Sequence, residues 1–467
     1  MTITFALILT ICATLGAFWL FLRDPSNIGS IVSVLTVIFG LYTAVTFVYF
    51  GVNTFYSFRS VLEAGDFLFN MFRMIPAMFY LAAITFAFVF GAIIAQVRLG
   101  SSAQARMTVE EPHLSQLTIA IAIGLAVWAV LLGAEILSSG VDLKYAFAPA
   151  VRTGRYENTS GYIYAMMMSL PLVLMIMYSW RKTRSNLVLM VFTVLAILTC
   201  LTTHQRREIV TALLAVAGVF AVMPKGSTAI GAIHRRQRRI VIVGLLIGLL
   251  AVPGFWYARI YATNLERGLK VNPFEIRSVS ELLMGSPATQ FPIFVVIRDR
   301  VAASGIHPLF LPAQIVSTPI PRSMWPNKPT DLDTILQTQY QLSENPSVFW
   351  TGDLYYGFGV FSVFVAALLG YLFTYVHGRA TLSPKPFFRS QSILLLMMSV
   401  TLFKNGLYQF TVRYVVALLL LTMLAWIAGL WRERSLSPRE MRERSALIKE
   451  RTLQRNRDRR TTNDPAP

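Results

Sequence analysis

Long apolar runs separated by shorter polar connections dominate the chain, and most approach the ~20 residues that a helix needs to cross ~30 Å of hydrocarbon. Such runs exclude a single soluble core, because a core cannot hold so many helices that are apolar on every side. We therefore expect an all-α, polytopic integral membrane protein with about eleven transmembrane helices. The predicted spans are residues 2–22, 28–52, 72–97, 115–138, 161–180, 186–203, 204–223, 240–258, 353–377, 391–407 and 410–431.

One polar interruption is far longer than the others and divides the chain into four regions. Residues 1–258 hold the first eight predicted spans, residues 259–352 form the long loop, residues 353–431 hold the last three spans, and residues 432–467 form a basic tail. A connection of this length in a compact helical protein is usually functional or disordered. Its apolar content is too high for a disordered segment, so we expect short amphipathic helices packed against the membrane helices.

Two helices can be placed within the loop. Pro292 fits the first turn of a helix that begins near Phe291, because the missing N–H of proline costs nothing there. Gly305 would end that helix. Thr330 or Asp331 would cap a second helix that continues to Gln341.

Between these helices lies PIPRSMWPNKP, residues Pro319 to Pro329, which has the densest local pattern in the chain. Its four prolines restrict the backbone on both sides of Arg322 and Lys328. Two cations on a stiff segment suit an anionic ligand.

The charge balance of the chain predicts its orientation rather than a nucleic-acid partner. The formal net charge is +19 over 467 residues, of which 55% are hydrophobic. One alternating set of connections, together with the tail, carries more than half of the 42 Lys and Arg residues, and such connections usually face the cytoplasm. The C-terminus is then cytoplasmic and the long loop extracytoplasmic.

A second group of charges lies at the outer boundary, in THQRRE between two predicted spans. Only 15 apolar residues run from Ile209 to Met223, so the helix must begin earlier to cross the bilayer. Charged residues at such a depth usually face the bundle interior or a wet cavity. The residues drawn into the boundary are His204, Arg206, Arg207 and Glu208.

Two further charged positions accompany the last three spans. Arg413 lies one turn inside the final span and needs an anionic partner or a water-filled cavity, for which Glu135 and Glu208 are candidates. Asp353 lies in TGDLYYGFG, at the start of a predicted span and three residues after Trp350. Such a segment is typical of an interfacial aromatic belt.

The sequence contains no phosphate-binding loop, zinc helix or nucleophile elbow. Asp331 and Asp333 are a poor divalent-metal pattern. We therefore expect a metal-independent, cofactor-free site dominated by arginine, which binds phosphate oxygens bidentately. An amphiphile with an anionic head, such as a polyprenyl diphosphate carrying a sugar chain, fits these residues.

From about His204 to Tyr371, the chain resembles the Wzy-type O-antigen or oligosaccharide repeat-unit polymerases. The segments that carry the resemblance are THQRRE, PIPRSMWPNKP and TGDLYYGFG. The resemblance implies a GT-C-like glycosyltransferase of the bacterial inner membrane. Such an enzyme joins undecaprenyl-diphosphate-linked oligosaccharides on the extracytoplasmic side of the membrane. Its expected partners are the lipid bilayer and a polysaccharide chain-length regulator.

The resemblance also suggests roles for individual residues. The diphosphate is assigned first to Arg206, Arg207 and Arg322, and then to Lys328 and Arg298, with Arg413 as a further substrate-binding residue. A base at the attacking hydroxyl is expected to be Asp299 or His204, with Glu208 also in the candidate catalytic set. His307, Glu281 and Asp353 are other base candidates on the same side, whereas His113, His234 and His377 fall on the cytoplasmic side.

Two alternatives stay open at this point. An O-antigen ligase would use the same donor but transfer the glycan to lipid A core sugars. A lipid-linked oligosaccharide flippase or other transporter would not be an enzyme. Transporters typically show repeat symmetry and mid-membrane charges, whereas the charges here collect at one face.

Overall fold

The structure is a computed structural model, and the residues it describes form helices, turns and irregular segments without strands. The described residues are 2–23, 27, 29–34, 36–37, 67–99, 114–138, 161–181, 183–203, 207–223, 290–317, 320, 324–325, 327–339, 348–383 and 385–429. The all-helical prediction is confirmed within this part of the chain. The predicted span 240–258 and the tail lie outside it.

The helices follow the predicted runs closely. They are α1 (Thr2–Arg23), α2 (Phe67–Leu99), α3 (Leu114–Ser138), α4 (Gly161–Tyr178), α5 (Asn186–Thr203), α6 (Arg207–Val222), α7 (Gln290–Ser304), α8 (Phe310–Ser317), α9 (Leu332–Gln339), α10 (Trp350–Phe358), α11 (Ser362–Thr381) and α12 (Pro386–Ile427). A 3₁₀ turn over Gly359–Phe361 joins α10 to α11.

Five segments of the described chain are long and apolar enough to cross a membrane, and α4, α5 and α6 contain shorter apolar stretches. The five are Thr4–Arg23, Met74–Leu99, Leu114–Leu137, Trp350–Thr381 and Gly406–Ile427. The chain is therefore an α-helical membrane protein.

Helices α2 and α11 cross very closely in the core, and two glycines permit the contact. A Cβ at Gly91 would collide with the backbone carbonyl of Ala367, and a Cβ at Gly370 would collide with that of Phe88. Small residues allow membrane helices to approach backbone to backbone, where van der Waals packing replaces the hydrophobic effect. This crossing joins the N-terminal half of the chain to the region that follows the long loop.

Helix α12 is a helical hairpin whose two arms meet at Gly406 (φ 81°, ψ 178°). The start of the first arm lies beside the end of α4, where Trp180 donates to the Ser390 hydroxyl at 2.8 Å. The Arg413 guanidinium of the second arm lies over the Tyr164 ring, near the start of α4, at 5.7 Å. At the end of the second arm, a Cβ at Gly429 would collide with Gln116 at the start of α3, which lies beside Arg181 and hence the end of α4. The second arm therefore runs parallel to α4. The predicted spans 391–407 and 410–431 are these two arms.

The end of the bundle opposite Gly406 is rich in arginine, and we call it the basic end. There the Arg181 guanidinium donates to the Thr118 hydroxyl at 2.8 Å, which joins α4 to α3. The Arg389 guanidinium donates to the Ser383 carbonyl at 2.7 Å and to the Val222 carbonyl at 3.3 Å. Hence α3, α4, α6, α11 and α12 all have termini at this end.

The described part of the long loop covers the other end, which we call the cap end. Pro292 lies in the first turn of α7 and Gly305 (φ 82°) follows its last residue, so both predictions for this helix are confirmed. Asp331 caps α9 through a 3.2 Å hydrogen bond from the Thr334 N–H to its Oδ1, as expected. Helix α9 is assigned through Gln339, and the residues that follow are outside the described part.

Candidate functional site

The cap end is organised around the break between the two arms of α12. Gly406 adopts a backbone conformation (φ 81°, ψ 178°) that only glycine enters readily. The second arm therefore begins inside the protein, at Leu407, with backbone N–H groups that the first arm cannot accept. A partial positive charge accumulates at such a helix N-terminus.

The Asp353 carboxylate from α10 meets this N-terminus. Its Oδ2 accepts a hydrogen bond from the Leu407 N–H at 2.7 Å, and the Tyr408 N–H also bonds to it. A Cβ at Gly406 would collide with the same carboxylate, so Asp353 can take this position only because residue 406 is glycine. Asp353 fixes the hairpin to α10 and thus to the beginning of α11.

Two other carboxylates order the chain that leads to Asp353. The Asp333 Oδ1 accepts from the Val348 N–H at 2.9 Å, which ties α9 to the start of α10. The Asp331 Oδ1 accepts from the Thr334 N–H at the start of α9. Both aspartates therefore have a structural role in the cap, and the D-L-D spacing serves two separate backbone contacts.

Helix α7 brings the predicted pair Arg298 and Asp299 to the cap end. The Arg298 guanidinium contacts Asp299 Oδ1 at 2.7 Å, with side chains 15% and 23% exposed. Tyr355 of α10 packs on the Tyr80 ring at 5.2 Å and on the Phe294 ring at 5.3 Å. The helix that carries the charged pair thus takes part in an aromatic wall formed by α2, α7 and α10.

Lys328 lies in the proline-rich segment, where its backbone N–H bonds to the Trp325 carbonyl at 3.0 Å in a tight turn. Its Nζ donates to the Ile320 carbonyl at 3.1 Å. One of the donors of this lysine therefore bonds to the backbone of the same segment, and most of the prolines of the predicted stiff frame lie outside the described residues. Arg322, the other cation of the motif, lies outside the described residues.

Arg413 is buried, with 3% of its surface exposed, in the second arm of α12. Its guanidinium lies 5.7 Å from the centroid of the Tyr164 ring. A cation over an aromatic face is a favourable contact. The predicted partnership of Arg413 with Glu135 or Glu208 stays a prediction.

The remaining predicted residues divide into two groups. His204 and Arg206 lie outside the described residues, as do Glu281, His113 and His234. Arg207 and Glu208 begin α6, and the structure describes their backbone only. His307 lies at the cap end beside Tyr356 and His377 is buried in α11. Of the candidate set, the structure thus brings Arg298, Asp299, Lys328 and Arg413 to the cap end.

Sequence reasoning missed the capping role of Asp353 and the aromatic wall of Tyr80 and Tyr355. The interruption of two apolar runs by Lys404, Asn405 and Gly406 indicated a break, but no local pattern links it to a residue about 50 positions earlier. Within the described ranges, no group of three or more His, Cys, Asp or Glu side chains is arranged to hold a metal ion.

The chain matches no family model, no curated protein and no solved structure. Its function is therefore argued from its residues and their geometry.

Proposed function

We propose that the protein is a GT-C-like polysaccharide polymerase of the bacterial inner membrane. It joins undecaprenyl-diphosphate-linked oligosaccharide repeat units at the cap end of the bundle, which faces the extracytoplasmic side. The reaction uses neither a metal ion nor a cofactor. A polysaccharide chain-length regulator acts as its partner in the membrane.

The observation that carries the proposal is the position of the charged pair Arg298 and Asp299. The described part of the long loop forms a helical cap on the broken end of α12, and the helix that carries this pair packs on Tyr355 through Phe294. The connections predicted to be cytoplasmic contribute arginines near helix termini at the opposite end of the bundle. These are Arg23, Arg98, Arg181, Arg184 and Arg389. The charges of the two ends are therefore separated along the bundle.

The chemistry requires two kinds of group. The hydroxyl oxygen of one repeat unit attacks the anomeric carbon of the other, the bond to the diphosphate breaks, and the hydroxyl proton passes to a base. Negative charge grows on the leaving diphosphate, so fixed cations there lower the barrier. In our proposal Arg206, Arg207 and Arg322 hold the diphosphate, with Arg298, Lys328 and Arg413 as further contacts.

Asp299 is the proposed base that the described residues support best. The 2.7 Å contact with Arg298 fixes the direction of its carboxylate. His204 and Glu208 are the other catalytic candidates, at the boundary that precedes α6.

The test is polymerisation by the purified protein. Wild type, Arg206→Ala, Arg207→Ala and Arg322→Ala are incubated with undecaprenyl-diphosphate repeat units and read as a glycan ladder. Arg379→Ala is the matched control, because Arg379 is exposed in the last turn of α11 at the basic end. We expect a ladder with wild type and the control, and its loss in the other three variants.

A folded wild-type protein that forms no ladder from its authentic substrate would contradict the proposal. Transfer to lipid A core sugars instead would identify a ligase. Movement of the intact lipid-linked oligosaccharide across proteoliposomes, without new glycosidic bonds, would identify a transporter.

A further inference from the structure

A second cluster at the cap end surrounds Tyr356 and does not belong to the groups discussed so far. The His307 ring stacks on the Tyr356 ring at 4.7 Å, and the His307 N–H bonds to the Tyr356 carbonyl at 3.2 Å. The Arg300 guanidinium lies over the same ring at 6.0 Å. Phe310 closes its edge at 4.9 Å. One buried tyrosine thus contacts both a guanidinium and an imidazole.

The donors of this cluster are only partly used within the described chain. Arg300 Nε is buried and has no hydrogen-bond partner there, and neither Arg300 nor His307 meets a described carboxylate. The Ser304 hydroxyl donates to the Arg300 carbonyl at 2.9 Å and lies 3.2 Å from His307 Nε2. Arg and His side chains suit a phosphate group.

The cluster lies at the top of an apolar stripe on α11. The stripe consists of exposed side chains at helical spacing: Phe361 (61% exposed), Phe364 (74%), Leu368 (56%), Leu372 (41%) and Val376 (41%). It spans about 22 Å at 1.5 Å per residue. Since Trp350–Thr381 is a candidate membrane span, this face meets lipid chains.

The stripe continues beyond the helix onto the cap and ends beside the cluster. Ile306 would touch a Cβ placed on Gly359, and Val301 lies 4.0 Å from the same position. Ile306 and Leu309 are 48% and 77% exposed, so the apolar surface extends to the turn between α7 and α8. The Arg300 guanidinium lies over the ring of Tyr356, three residues before Gly359, so the cationic group lies near the end of the stripe.

We propose that Arg300 and His307 bind the phosphate of a membrane lipid whose hydrocarbon chain lies along the α11 stripe. The identification of this lipid as a polyprenyl phosphate rests on the proposed function. Charge complementarity and the continuous apolar surface together select an anionic amphiphile. The site would hold a lipid-linked substrate at the edge of the cap, either next to Arg298 and Asp299 or on its way to them.

The test is local photocrosslinking of the full-length protein in phosphatidylcholine nanodiscs. p-Benzoylphenylalanine replaces Phe361, and the probes are undecaprenyl phosphate and undecaprenol at equal mole fraction. A charge-assisted phosphate contact of about 1.4 kcal/mol predicts about tenfold more labelling by the phosphate lipid. The same photoreactive residue at Leu372, lower on the stripe, should label equally with both probes.

Variants then separate the site from general lipid contact. Arg300→Gln combined with His307→Gln should bring the labelling ratio to about one. Arg300→Lys should restore part of the preference, since it keeps the charge without the planar fork. Arg379→Gln at the basic end should change nothing, and thermal unfolding checks that each variant is folded.

Equal labelling by the two lipids in wild type, or an unchanged preference in the double variant, would overturn the proposal. So would loss of labelling on addition of inorganic phosphate, which would indicate a site for free anions. Undecaprenyl phosphate carries no sugar, so labelling is independent of polymerisation. Labelling without a ladder would refute the polymerase alone, and a ladder without selective labelling would refute this lipid site alone.

Discussion

The two ends of the bundle use charged side chains in opposite ways. At the basic end Arg184 and Arg389 are buried, and they donate to backbone carbonyls at helix C-termini. Arg184 bonds to the Ser179 and Met223 carbonyls. At the cap end, Asp353 and Asp331 accept from backbone N–H groups at helix N-termini.

Both arrangements follow the helix macrodipole, which favours cations at C-termini and anions at N-termini. The two ends differ in the charged side chains that are left for contacts other than helix capping. At the basic end the two buried arginines are committed to the backbone of α4, α6 and α11. At the cap end Arg298 pairs with Asp299, and Arg300 packs on Tyr356. Charge at the basic end therefore serves folding, whereas the cap end has side chains that can serve a substrate.

Arg322→Ala should give the largest functional effect. If Arg322 holds the diphosphate in a desolvated site, loss of its charge should lower polymer formation by about 10²-fold, and Arg322→Lys should recover only part of it. The measurement is the initial rate of ladder formation per folded molecule. A rate near that of wild type would mean that Arg322 merely lies in a solvated proline-rich turn.

Gly406→Ala should give the largest structural effect. The alanine must adopt a backbone conformation reserved for glycine, and its Cβ would collide with the Asp353 carboxylate. Strain of about 1–3 kcal/mol plus the lost cap contact should lower the melting temperature markedly. Gly133→Ala is the matched control, because nothing lies within 4 Å of the added Cβ. Equal melting temperatures for the two variants would refute the hairpin geometry.

Asp353→Ala should weaken the same junction by less. Loss of a capping carboxylate costs about 0.5–2 kcal/mol, and Asp353→Asn should retain part of the stability because its amide oxygen can still accept from the Leu407 N–H. Chemical denaturation in detergent measures the difference. If both variants were as stable as wild type but both lost activity, the carboxylate would be a proton acceptor rather than a cap.

Asp331→Ala should have the smallest effect of the series. This residue caps the short helix α9 in a partly buried position, through a 3.2 Å contact. We expect a loss of about 0.5–1 kcal/mol and little change in polymer formation. A larger loss of activity than in Asp353→Ala would indicate that α9 contacts the substrate.

Local sequence patterns predicted the parts of the fold that local physics determines. Pro292 and Gly305 marked α7, and Asp331 marked α9, because proline, glycine and capping residues act within one turn. The apolar runs likewise predicted both arms of α12. These elements depend on neighbours in the chain.

The assembly of the cap depends on contacts between distant residues, and no pattern of one sequence specifies them. Asp353 meets Leu407 and Tyr80 meets Tyr355 only after α2, α10 and α12 have packed together. Arg413 illustrates the same limit, since its contact with the Tyr164 ring joins two helices that are distant in the sequence.

The most direct test of the difference between the two ends is to compare Arg298→Gln with Arg389→Gln, measuring ladder formation and thermal unfolding in the same samples. Arg298→Gln should keep a melting temperature close to that of wild type and lose most of its polymerase activity. Arg389→Gln should unfold at a lower temperature, because it leaves buried carbonyls worth about 1–3 kcal/mol each without their donor, yet keep its activity per folded molecule. Full activity in folded Arg298→Gln, together with a selective loss of activity in Arg389→Gln, would place the chemistry at the basic end and contradict this account.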